Sequence, residues 1–290
     1  MALLALHIVF NVGFALSTRV AQFRRYDYFL VAAVNYTLAA VLASLWALLR
    51  GGWDFDAPTL IFGAVQGFQY AATMIGVYLL LVRSGVGVTF IVLRLTVVVP
   101  TLSAIVFFGE RPSAAAIGGL LLMLISIPLL VGPRSAVRGP RSRWYWPSVA
   151  LMMFVTGAGL TASKAFNELS TPDRAPDFVM FSFLVSVPVA LAIFAVRRRF
   201  QARTPPLRQS LATPGPLATG AAMGCCNVIQ LAFLVAALEV IPGTIAFPIQ
   251  TSASVLLTTA AGVIVWHERH GPIVWAGFAA ALAGMVIVNL

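Results

Sequence analysis

The chain has 290 residues, of which 60% are hydrophobic and only 10% charged, at a mean hydropathy of +0.94. A soluble domain carries roughly one quarter charged residues, so this composition excludes an ordinary globular protein and makes the bilayer span of about 20 residues the natural unit of length. The net charge of +10 comes mainly from arginines in short loops between apolar runs, the pattern of orientation signals and not of a nucleic-acid surface.

Charges, prolines and glycines divide the chain into ten predicted helices, near 2–22, 28–49, 58–81, 86–108, 114–132, 146–167, 177–196, 216–238, 243–266 and 271–290. The runs are continuously apolar instead of alternating, which argues for helices over barrel strands. The first run starts at Met1 without a basic segment before it and is interrupted by Asn11, so it reads as a mature span and not a cleaved signal. A basic linker, 133–145, separates a first unit, 1–132, from a second, 146–290. Cys225 and Cys226 are adjacent within an apolar segment, where they serve as small packing residues and not as a redox or metal motif.

The two units match one another. The run "VFFGERPSAAAIGG" returns as "VIVWHERHGPIVWAG", and one constant offset places Gly85 on Gly243, Val97 on Val255, Thr101 on Thr259, Glu110 on Glu268, Arg111 on Arg269 and Gly119 on Gly277. An offset one residue shorter places Gly63 and Gly67 on Gly220 and Gly224. The chain therefore reads as an internal duplication. Five helices is an odd number, so the second unit enters the membrane in the opposite sense to the first. The expected fold class is all-α integral membrane, ten transmembrane helices as two inverted five-helix repeats. Inverted repeats are a common construction of secondary transporters, with the substrate site near the midplane between the halves.

The segments "YLLLVRSGVGVTFIVLRLTVVVPTLSAIVFFGERPSAAAIGG" and "FLVAALEVIPGTIAFPIQTSASVLLTTAAGVIVWHERHGPIVWAG" resemble the EamA-like unit of the drug/metabolite transporter superfamily. The resemblance covers both halves. It departs from the family pattern where the fourth-helix proline is displaced to Pro100 and where His267 replaces Gly109 in the second half. What the resemblance implies is an exporter of small polar metabolites such as amino acids or organic acids; a lipid-linked sugar flippase or a multidrug exporter is also compatible with it. Small cation exporters of the wider superfamily use a carboxylate in the first helix, whereas this chain has Asn11 there and Thr156 near the equivalent place.

Arginines cluster after odd-numbered helices, including Arg24, Arg25, Arg83 and the runs within 134–143 and 197–208. Loops after even-numbered helices carry only Arg50, Arg111 and Arg174, with most of the acidic residues. By the positive-inside rule the odd loops are cytoplasmic and both termini outside; the family resemblance implies the opposite.

Polar groups in hydrocarbon are costly and usually face the bundle interior. Gln66, Gln69, Tyr70 and Thr73 share one face of the third predicted helix, and the repeat places Asn227 and Gln230 at equivalent points of the eighth. Such side chains line a cavity or bond helices together, at about 0.6 to 2 kcal/mol each. Arg94 lies about 12 Å into the fourth predicted helix, with Ser252 as its repeat partner beside Gln250 and Thr251. No deep carboxylate is available to it, so a substrate anion, backbone carbonyls or cavity water is its expected counterpart. The candidate substrate-binding residues are Arg94, Gln69, Tyr70, Thr73, Asn227, Gln230, Gln250 and Asn11.

Arg19 and Lys164, a further repeat pair, are expected to snorkel to the interface. Glu110 and Glu268 are expected to cap the fifth and tenth helices, with Pro112 and Pro272 in their first turns. The two GxxxG runs, Gly63 to Gly67 and Gly220 to Gly224, are expected at close helix contacts. The three histidines, His7, His267 and His270, belong to no HExxH pattern, and no GxSxG occurs. The expectation is accordingly a non-enzyme without catalytic, metal or cofactor site, with an intramembrane enzyme as the remote alternative, whose partners are a small-molecule substrate and the lipid bilayer, without nucleic acid. Many Arg beside a single Lys suggest a GC-rich prokaryotic genome and hence an inner-membrane location.

Overall fold

The computed structural model describes residues 1–51, 53, 55–131, 145–200, 213–267 and 271–288, without the side chains of 78–92, 94, 128, 130–131, 145–146, 148, 200, 266 and 288. Ten α-helices account for nearly all of the described chain: α1 Ala2–Phe23, α2 Tyr28–Leu49, α3 Ala57–Leu95, α4 Val98–Phe108, α5 Ala114–Val131, α6 Tyr145–Leu169, α7 Ala175–Phe200, α8 Pro214–Leu238, α9 Gly243–Trp266 and α10 Pro272–Val288. No strand occurs among the described residues. Seven of the helices contain stretches long and apolar enough to cross a membrane; α4, α5 and α10 contribute shorter apolar stretches.

Capping chemistry sets several boundaries. The Asp27 carboxylate accepts the Phe29 N–H at 3.0 Å to start α2, and that of Asp56 accepts the Thr59 N–H at 2.8 Å to start α3. Gly109 ends α4 in the left-handed region at φ 66°, and His267 ends α9 there at φ 52°. The glycine and the histidine that replaces it in the second unit thus hold the same backbone turn.

One boundary differs from the sequence expectation. Helical backbone continues through 82–85, where a loop was expected, and breaks at Thr96 and Val97 instead. There the Thr96 hydroxyl donates to the Leu93 carbonyl at 2.6 Å. Yet Val77 and Leu93 pack on the same pair of residues, Val149 and Met152, and line one cavity. Glycines at 85 and 87 do not break helical hydrogen bonding where water is absent to replace it.

Distribution of polarity is inverted relative to a soluble protein. Asn35, Gln66, Gln69, Asn227, Gln230 and Gln250 are buried, while Phe107, Phe154 and Ile264 are among many large apolar side chains facing outward. This is the architecture of a multi-pass membrane protein.

Helix association in lipid rests on close van der Waals packing, and small residues provide it. On α2, Ala39, Ala43 and Ala47 repeat every four residues and are fully buried. Gly63 and Gly67 bring α3 against Phe181, Ser182 and Val185 of α7; Gly220 and Gly224 bring α8 against Val31, Val34 and Asn35 of α2. A methyl group on Gly224 would stand 2.8 Å from the Asn35 carbonyl oxygen.

The principal packing pairs are α1 with α8 and α6 with α3; α2 with α8 and α7 with α3; α1 with α9 and α6 with α4; and α2 with α7, α4 with α9 and α5 with α10. Replacing each helix in these pairs by the one five positions away returns the same set, whereas the packing of α5 on α9, as extensive as that of α4 on α9, has no counterpart between α10 and α4 among the described residues. Two ion pairs obey the same exchange. Arg197, near the end of α7, reaches Asp27 of the α1–α2 loop at 2.9 Å, and Arg174, in the α6–α7 loop, lies 3.6 Å from Asp56 of the α2–α3 loop.

Candidate functional site: a central cavity between two polar ladders

Two hydrogen-bonded ladders cross the middle of the bundle. In the first, the Asn11 amide of α1 donates to Gln230 Oε1 of α8 at 2.8 Å. Gln230 Nε2 donates to Asn227 Oδ1 at 2.8 Å, and Asn227 Nδ2 to Asn35 Oδ1 of α2 at 3.3 Å. In the second, Ser163 of α6 donates to Gln66 Oε1 of α3 at 3.0 Å, Gln66 Nε2 to Gln69 Oε1 at 2.9 Å and Gln69 Nε2 to Thr73 Oγ1 at 2.7 Å. Thr73 then meets the Thr156 hydroxyl of α6 at 3.2 Å. The sequence repeat pairs Asn11 with Thr156 and Gln230 with Thr73, so the contact joining α1 to α8 has its counterpart joining α6 to α3.

Two cavities abut where the ladders approach. An outer one of about 250 Å³ follows α1 from Asn11 to Gln22 and reaches Tyr28 at the start of α2. Its walls are mainly apolar and aromatic, including Phe14, Tyr36, Met74 and Val77. An inner one of about 170 Å³ is lined by polar groups of five helices, among them His7, Gln69, Gln230 and Gln250. Asn11, Leu93 and Thr156 border both. Polar side chains in the inner cavity and hydrocarbon in the outer one make the pair suited to a small amphiphilic solute.

Of the residues singled out from sequence, Asn11, Gln69, Tyr70, Thr73, Gln230 and Gln250 line one or both cavities. Asn227 lies behind them, 2% exposed, holding Gln230 and Asn35 together. The Arg94 side chain lies outside the described residues. Three groups not singled out also belong to the site: His7, whose Nδ1 is 2.6 Å from the Gln230 carbonyl oxygen; Asn35; and Thr156. The spacing of His7 and Asn11, four residues apart on one helix face, is the signal that identifies the first of these.

Beyond the inner cavity, a charge cluster ties α6 to the α4–α5 loop and to the start of α9. Lys164 Nζ of α6 contacts Glu110 of the α4–α5 loop at 3.1 Å and Glu168 at 2.7 Å. The Glu110 carboxylate also accepts the Gly243 N–H at 2.7 Å and the Thr244 N–H and hydroxyl at 2.8 Å each. Burial opposes ionisation of Glu110, but hydrogen bonds from Thr244 and Gly243, with Lys164 beside them, outweigh it and hold the carboxyl below its ordinary range. Nearby, the Asn167 amide donates to the Val235 carbonyl at 2.7 Å.

This cluster corrects three expectations. Glu110 caps a helix N-terminus, but that of α9 and not of α5, which uses the Ser113 hydroxyl on the Ala116 N–H. Pro112 accordingly precedes α5, whereas Pro272 occupies the first position of α10 as expected. Lys164 is 5% exposed and doubly paired, so it does not snorkel; a carboxylate contributed by a distant segment gives it an internal partner. Among the described residues no group of three or more His, Cys, Asp or Glu is placed to hold a metal ion.

No family model matches the sequence, and no curated protein matches it. A solved structure described as "Crystal structure of protein" is similar in fold, with a TM-score of 0.76 and 15% identity, over 100% of this chain and 99% of that one. The likeness thus extends to the whole ten-helix arrangement and is one of fold alone.

Proposed function

We propose that this chain is a secondary transporter of small polar metabolites such as amino acids or organic acids, an EamA-like member of the drug/metabolite transporter superfamily built from two inverted five-helix repeats. The observation that carries the reading is a central cavity between two polar ladders that share an equivalent contact, Asn11 with Gln230 and Thr156 with Thr73, next to the Lys164–Glu110 cluster. The exchange of packing pairs between helices five positions apart supports a two-fold relation in the membrane plane, and a cavity on that axis is where such transporters bind substrate. Alternating access then consists of releasing the Lys164–Glu110 cluster while closing the outer cavity around Gln22 and Tyr28. Arg24 and Arg25, with Arg197 to Arg199 at the end of α7, lie at the outer-cavity end, so the positive-inside rule makes this conformation inward-facing in a prokaryotic inner membrane.

Cysteine accessibility tests the mechanism without a known substrate. In a background with Cys225→Ala and Cys226→Ala, Gln22→Cys reports the outer end and Leu234→Cys the inner cavity. A membrane-impermeant maleimide should label the first variant fast and the second at least tenfold slower. Adding Lys164→Gln should reverse that order. Labelling of both sites that rises together, or that ignores Lys164→Gln, would exclude a rocking exchange.

A further inference from the structure

Gln250 is 6% exposed and lines the inner cavity, yet its Oε1 has no hydrogen-bond partner. One turn further along α9, on the same face, the buried hydroxyl of Ser254 finds no hydrogen-bond acceptor either, though the Thr258 hydroxyl donates to the Ser254 carbonyl at 2.7 Å. An unmet buried acceptor costs about 1–3 kcal/mol, and such exceptions call for a physical explanation.

The neighbouring His7 shows what kind of group is missing. Its Nδ1 lies 2.6 Å from the Gln230 carbonyl oxygen, and a carbonyl only accepts, so Nδ1 carries the proton. When the ring is neutral, Nε2 is an acceptor, and His7 and Gln250 both line the inner cavity. An Nε2 acceptor and an unpartnered amide oxygen therefore face one small polar space. No Asp, Glu, Lys or described Arg side chain borders either cavity. The remaining titratable groups around it are Tyr70, in the inner cavity, and Tyr28 and Tyr36, in the outer one.

Resting on the transporter reading above, we propose that His7 and Gln250 form the subsite for a primary amine head group. The apolar body of the same substrate occupies the outer cavity, between Phe14, Tyr36 and Met74. A head of a few non-hydrogen atoms suits about 170 Å³. The orientation is opposite to one led by a carboxylate: the amine goes innermost.

Two matched amphiphiles test it on the full-length protein in nanodiscs: phenethylamine and 3-phenylpropionate, which share a ring and differ in head group. Calorimetric titration should show phenethylamine binding the wild type and 3-phenylpropionate binding at least tenfold more weakly. Gln250→Met, of similar shape without the carbonyl, should weaken phenethylamine at least tenfold, and Gln250→Glu should tighten it by a similar factor. A melting curve matching the wild type certifies that each variant is folded. Tighter binding of 3-phenylpropionate, no binding of either probe, or indifference to both Gln250 variants overturns the subsite. The labelling exchange at Gln22→Cys and Leu234→Cys is independent of these probes. Exchange without amine binding leaves the transporter standing and removes the subsite, and the converse result does the reverse.

Discussion

Helices α1–α5 and α6–α10 share most of their principal packing pairs and diverge in what their side chains do. Asn11 and Thr156 both bridge to the partner helix across the cavity, one through an amide and the other through a hydroxyl. Gly63 and Gly67 seat α3 on α7 as Gly220 and Gly224 seat α8 on α2. By contrast, Lys164 is buried and paired with two carboxylates while Arg19, its repeat partner, is only partly buried on α1. Backbone contacts that demand a small residue tolerate little change, so they preserve the relation between the halves; charged side chains that break it mark where the two ends of the bundle behave differently.

The largest effect should follow from removing the divergent charge cluster. Glu110→Gln leaves Lys164 with one carboxylate and weakens the bonds to the Gly243 and Thr244 N–H groups, and losing one partner of a buried pair costs about 3 kcal/mol or more. Arg19→Gln, the matched change in the other half, should cost under about 1 kcal/mol. Denaturation titrations of the two variants in one detergent make the comparison; equal losses would show that the asymmetry is only apparent. The cluster also predicts a pH dependence. Because the folded pKa of Glu110 is depressed, its contribution is present above the unfolded carboxyl pKa and fades as pH falls through the folded value. Wild-type stability should drop on acidification, and Glu110→Gln should flatten that drop.

Much of this was legible in sequence because a bilayer leaves polar residues few bland uses. Asn11, Gln69, Thr73, Gln230 and Gln250 stand out against hydrocarbon, and six of the eight singled-out residues line the cavities. GxxxG spacing located the close contacts for the same reason. What escaped depended on groups meeting across the fold. Nothing near Lys164 in sequence announces that Glu110 will reach it, nor that the same carboxylate will cap α9 instead of the helix it precedes. In sequence His7 invites only a metal or catalytic reading, and its contact with the cavity wall emerges when α8 supplies the Gln230 carbonyl. The break at Thr96 escaped because glycine signals loops in water more reliably than in lipid.

A second pair of variants sharpens the backbone side of the comparison. Gly67→Val places a side chain into Ser182 and Val185, and Gly224→Val into Asn35 and Leu38. Overpacking of this kind costs about 1–3 kcal/mol, and the equivalence of the two contacts predicts losses within about 1 kcal/mol of each other. A large disparity would mean that the halves do not share one packing geometry. Melting temperature and monodispersity read the outcome directly.

The smallest change tests equivalence at a single turn. Gly109 and His267 adopt nearly the same left-handed conformation at the ends of α4 and α9, with φ of 66° and 52°. A side chain in that region costs roughly 1 kcal/mol relative to glycine, so His267→Gly should stabilise the protein by about that amount and Gly109→Ala should destabilise it similarly. A methyl on Gly109 meets nothing within 4 Å, so its effect isolates the backbone term. If His267→Gly destabilises instead, the imidazole makes a contact worth more than the strain it imposes, and the second half has turned a shared turn into a specific one.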